Sequence, residues 1–158
     1  MAWMLVCVLS VLFTPAVHAQ NPDMNADHVL ILPGDIKWKQ DANPAFLPGM
    51  KMAVIDGDPS SNGPFTVRIM IPNSYKIMPH FHPADENITV LKGTFMMGTG
   101  DQFDEKALMA ISEGGYMSMK KGIHHYAMAK GETLIQVHGV GPFTLTYVDP
   151  NDDPRNKK

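Results

Sequence analysis

Cysteine is almost missing from this chain: Cys7 stands alone among 158 residues. It lies in an apolar leader that the sequence marks for removal, so the remainder has neither a disulfide framework nor thiolate chemistry. Charge is scarce too. Charged side chains make up 18% of the residues and the formal net charge is −3, with no basic run. Nothing here attracts nucleic acid. No Gly-x-Ser-x-Gly segment is present, which leaves a serine hydrolase without support. Gly98-Thr99-Gly100 is too short and wrongly placed for a phosphate cradle. Asp101 and Asp104 lack the spacing and closing glutamate of a calcium loop and read as a turn. There is no internal repeat, and only residues 102–111 could hold a short helix.

The leader is residues 1–19. Residues 3–13 are almost continuously apolar, and Ala16-Val17-His18-Ala19 puts small residues at the two positions a signal peptidase reads. Thr14, Pro15 and His18 cut the run short of the ~20 apolar residues of a membrane anchor. The reading is an export signal cleaved after Ala19. It gives a periplasmic or secreted protein that starts at Gln20 and has no membrane segment.

The rest of the chain divides into three stretches. Residues 20–48 are rich in Asn, Asp and Pro and carry one apolar patch, residues 29–32, and Trp38. They read as an irregular arm that adds a strand to a sheet edge, its own or a partner's. Residues 49–149 hold short β-rich runs at 52–55, 65–71, 88–91, 94–97, 116–119, 125–128, 133–138 and 143–148. Gly, Pro, Asn or Asp separates them. Many short strands with turn chemistry between them predict one all-β domain, a sandwich or barrel, with one substantial core. Residues 150–158 are a polar tail.

Chemistry concentrates in His80-Phe81-His82-Pro83-Ala84-Asp85-Glu86, followed by Gly93. Even spacing on an extended strand points His80, His82 and Glu86 to one face. Two imidazoles and a carboxylate form a mixed nitrogen and oxygen set suited to iron, manganese, nickel, copper or zinc. Of seven histidines, five fall at 80, 82, 124, 125 and 138. Neighbours on a strand face opposite ways, so spacing does not choose between His124 and His125. His138, with Gln136 on the same face of its strand, either lines the pocket as proton carrier or orienting group, or is a structural histidine at a strand end. Methionine is abundant, 13 in all. The dull reading, irregular space filled in a barrel, outweighs a copper-favouring thioether shell.

The His-x-His, three residues, Glu, six residues, Gly spacing resembles the first motif of the cupin superfamily. Gly114, Gly122 and His125 match positions of the second, with Lys120 where the family has proline and without its trailing asparagine. Small, exported, single-domain bacterial cupins are similar along the whole mature chain. The resemblance implies a single RmlC-like cupin jelly-roll barrel behind an irregular N-terminal arm. It implies His80, His82, Glu86 and His125 as ligands of one divalent transition metal ion, and it selects His125 over His124. Three imidazoles and a carboxylate leave one or two positions on the ion for substrate and dioxygen. The function it implies is a metal-dependent oxidoreductase, dioxygenase or oxidase in type, acting on a small organic or carbohydrate-derived substrate. In that reading Glu86 is the catalytic base, with Gln136 and His138 in the catalytic set as pocket-lining groups. The alternatives are a redox-neutral lyase or isomerase, or a metal-organised ligand-binding or sensor module. Cupins of this size usually pair, so a homodimer is expected, with residues 29–32 and Trp38 at or near its interface.

Overall fold

The computed structural model describes residues 28–157 apart from Ala42. The proposed signal and its cleavage site lie outside the described residues. Residues 28–30 belong to a separate unit and are exposed coil; residues 31–157 belong to the folded body.

Nine strands build that body: β1 (Lys39–Gln40), β2 (Lys51–Gly57), β3 (Gly63–Ile71), β4 (Lys76–Phe81), β5 (Glu86–Thr99), β6 (Met109–Ser112), β7 (Tyr116–Met119), β8 (His125–Gly141) and β9 (Thr146–Tyr147). Every pairing is antiparallel. The long strands β5 and β8 pair from Asn87 opposite His138 to Thr99 opposite His125, with the register shifting on either side of Lys92. Their two halves therefore serve two faces of a jelly roll. The N-terminal half of β5 and the C-terminal half of β8 lie in the order β1-β2-β3-β8-β5-β7. The other halves lie in the order β9-β4-β8-β5-β6.

The bend has a local cause. Gly93 has φ +80°, and a Cβ there would sit 2.5 Å from the carbonyl oxygen of Glu132. Only glycine allows the two strands to approach this closely at the corner. Thr133, wholly buried, locks the crossing: its hydroxyl is within donating distance of the Thr94 carbonyl (3.0 Å) and the Gly131 carbonyl (3.2 Å). The motif glycine of the sequence is thus an architectural residue.

Alternation then fills the interior. Phe65, Val67, Ile69 and Ile71 on β3 face inward, as do Ile88 and Val90 on β5 and Ile135 and Val137 on β8. Phe95, Met97, Ala127 and Ala129 close the second face.

The sequence reading of the strands needs amendment. The paired runs 88–91 and 94–97 are one strand, β5, and 125–128 and 133–138 are one strand, β8. Residues 102–111 hold a single 3-10 turn, Glu105–Ala107, capped by Asp104, and then strand β6. The arm does add a strand, β1, to an edge of its own sheet, where Lys39 pairs with Met52. The tail forms two 3-10 turns, and Arg155 donates to the Leu145 carbonyl (3.2 Å).

Candidate metal centre

β4 delivers the first histidine by an irregularity. Ile77 pairs with Ala127 and His80 with His125, so β4 holds one more residue than its partner between these points. Without that bulge Ile77 and His80, three apart, would face opposite sides; with it both face inward. Pro79 sits in the bulge, where its missing N–H breaks no ladder. The Met78 carbonyl turns to meet His80 Nδ1 at 2.7 Å.

His82 lies just past the end of β4, and Glu86 opens β5 across a bend at Pro83 and Ala84. The expectation of one extended strand carrying His80, His82 and Glu86 is corrected here. Glu86 pairs with Met119 of β7 and reaches the cluster from the other half of the barrel. The bend is held by the second motif. Lys120 Nζ lies 2.8 Å from Asp85 Oδ2, the Lys121 amide donates to Asp85 Oδ1 (2.9 Å), and the Gly122 amide donates to the His82 carbonyl (2.9 Å). Lys120, in the family's proline position, ties the two motifs together.

β8 supplies the last member. His125 is inward and 1% exposed. His124 points the other way, its Nδ1 2.7 Å from Asp101 Oδ1 and its ring stacked on Phe81 at 5.0 Å. The same alternation turns Gln136 and His138 away from the interior. Ile135 and Val137 line the cavity, and Gln136 and His138 do not. Gln136 Oε1 accepts from Arg68 Nε (3.0 Å), and His138 stands in register between Thr66 and Asn87. Their pocket-lining role is therefore corrected: period-two alternation cannot bring 135, 136, 137 and 138 to one face.

The four inward groups form a compact cluster. Ring centroids are 4.2 Å apart for His80 and His125, 5.1 Å for His80 and His82, and 5.3 Å for His82 and His125. One ligand atom from each histidine lies within 4.8 Å of the others. Glu86 Oε2 is 3.3 Å from His125 Nε2, and Glu86 Oε1 is 3.7 Å from His82 Nε2.

Each ring is oriented from behind by a backbone carbonyl: Met78 for His80, Thr144 for His82 (2.7 Å) and Ile123 for His125 (2.9 Å). A carbonyl only accepts, so Nδ1 carries the proton and the neutral ring presents the Nε2 lone pair. Burial, then the neighbouring His125 and His82, hold the His80 imidazole well below its usual value. Burial also lowers that of His82, against the opposing pull of Glu86. His82 Nε2, His125 Nε2 and Glu86 Oε2 are buried without a hydrogen-bond partner. Converging lone pairs and a carboxylate with no donor among them are what a divalent transition metal relieves. The residues present fit the ion the fold implies.

Sequence reasoning missed the three carbonyls and Phe143, which stacks on His82 at 4.2 Å and 19°. The only signal for the bulge was Pro79 directly before His80. The cluster sits at one end of a cavity of about 100 Å³ inside the barrel.

No protein-family model and no curated protein sequence matches the chain. Solved structures do. The polyketide cyclase RemF from Streptomyces resistomycificus aligns with a TM-score of 0.65 at 17% identity, over 79% of this chain and 88% of that one. A putative acetylacetone dioxygenase from Methylibium petroleiphilum PM1 aligns at 0.62 and 17%, over 83% and 88%. An RmlC-like cupin from Shewanella frigidimarina aligns at 0.54 and 12%, over 70% and 87%. At such identities the likeness is one of fold. The fold is an RmlC-like jelly roll of the cupin type.

Proposed function

We propose that this cupin binds one divalent transition metal ion through His80, His82, His125 and Glu86. It acts as a metal-dependent oxidoreductase, of dioxygenase or oxidase type, on a small organic molecule. The observation that carries the reading is the set of buried, unpartnered ligand atoms aimed at one point. Such an ion supplies Lewis-acid and redox chemistry next to the substrate.

The chain's own residues do the rest. The Met78, Thr144 and Ile123 carbonyls fix the rings, so no reorganisation is needed on binding. Most of the wall beside the cluster is apolar. Among the described residues Glu86 is the one carboxylate lining the cavity, and a carboxylate held to an ion through one oxygen keeps the other to accept a proton from a bound substrate.

A redox-neutral lyase or isomerase, in which the ion serves only as a Lewis acid, is the alternative that the oxygen test separates. Names of two structural neighbours, a putative dioxygenase and a cyclase, fit action on small molecules.

Two further parts of the proposal concern the whole chain. Residues 1–19 direct export and are removed after Ala19, which mass spectrometry of envelope material tests by finding Gln20 first. Two copies of the chain pair. The function itself is tested by dioxygen consumption during turnover of a panel of small organic molecules. Oxygen uptake that Glu86→Gln abolishes supports the proposal; product formed equally well without oxygen refutes it in favour of a redox-neutral reaction.

A further inference from the structure

The cavity narrows the substrate, and this step rests on the metal reading above. Among the described residues, only Asn43, Thr144 and the four cluster residues bring polar side chains to its lining, and none of the lining residues is Lys or Arg. Asn43 Oδ1 already accepts from the Ala45 amide (2.9 Å). Thr144 is exposed, and its carbonyl is the partner of His82 Nδ1. Elsewhere the wall is aliphatic or aromatic, as at Val67, Ile69, Ile77, Ile88, Phe95 and Ile135. Of the partly buried members of the lining, Phe46, Met52, Pro59 and Phe143 are apolar too, and Asn43 is the polar one.

Such a wall discriminates by what it cannot satisfy. A sugar carries a hydroxyl on nearly every carbon, and each one seated against this wall would lose its water without gaining a partner. A phosphate or a carboxylate on the body of the molecule would find no cation beyond the metal.

We propose that the substrate is a small, uncharged, largely apolar molecule. Its one polar end, a hydroxyl, enol or carbonyl, meets the cluster of His80, His82, His125 and Glu86. Sugars, sugar acids and phosphorylated molecules are excluded. This drops the carbohydrate half of the substrate range that the sequence allows.

The test uses the full mature chain and two chelators that share a hydroxyketone but differ in body: tropolone, an apolar ring, and kojic acid, which carries a hydroxymethyl group. Calorimetric titration of metal-loaded protein, normalised to each probe's affinity for the free ion, should favour tropolone by ~10–100-fold. Glucose 6-phosphate and galacturonate should give no binding. Equal affinities for the two chelators, or binding of either sugar derivative at the metal, would overturn the proposal. A second arm separates it from the metal reading. Toluene added to metal-free protein should shift the methyl signals of Ile77, Ile88 and Met97. Absence of those shifts refutes the apolar site even in protein that holds metal. Shifts in a protein that holds no metal under any loading keep the apolar site and sink the metal reading alone.

Discussion

At the residue scale, what prepares this site is the backbone behind the histidines. Three carbonyls take the Nδ1 protons and leave Nε2 lone pairs inward, and alternation on β8 decides which of two adjacent histidines takes part. His125→Ala should therefore lower metal affinity by well over the ~10–100-fold typical of outer-shell changes. His124→Ala, which loses a contact with Asp101 on the outer surface, should leave occupancy intact. Metal titration of the two variants checks this, and the reverse order would refute the assignment. The lowered His80 and His82 give a second expectation for metal-free protein. A histidine whose folded value is depressed binds fewer protons than its unfolded form, so stability is complete above about 6.5 and is lost as pH falls below it. The urea midpoint of metal-free protein should drop between about pH 8 and about pH 5. A midpoint that rises on acidification would show that the rings are charged in the folded state. The spacing of His80, His82, Glu86 and Gly93 was legible because it repeats a known motif. The orienting carbonyls were not, since any residue supplies one. Gln136 and His138 misled because spacing of two shows a shared face without showing which face.

At the scale of elements, the runs of β-branched and apolar residues announced most of the strands. They did not announce that β5 and β8 each run through a bend, because Lys92-Gly93 and Lys130-Gly131 read equally well as hairpin turns. β6 was hidden by helix-forming residues between 102 and 111, where pairing with β5 overrides local preference. β4 was obscured by Pro79, which breaks the alternation and supplies the bulge. The two bend glycines separate strain from crowding. Both have positive φ, but a Cβ at Gly93 meets the Glu132 carbonyl at 2.5 Å while one at Gly131 meets nothing within 4 Å. Gly131→Ala should cost about 1 kcal/mol from backbone conformation alone, and Gly93→Ala clearly more, about 2–4 kcal/mol. Chemical denaturation of the pair measures this. Equal costs would mean that the close approach of the strands does not constrain the corner.

At the scale of the molecule, a jelly roll leaves open sheet edges. Here β1 covers β2 over two residues only, and Val54, Leu32 and Val140 are exposed. We expect two copies to pair over such surface. Sedimentation at micromolar concentration should give a dimer, and a monomer would remove assembly from the account without touching the site. The central claim lies elsewhere, in four side chains from three parts of the chain closing around one ion. Elemental analysis of the purified mature protein and of His82→Ala tests it most directly. The wild type should carry about one iron, manganese, nickel, copper or zinc per chain, and the variant only background. A His82→Ala protein that keeps the full complement of metal would contradict the account.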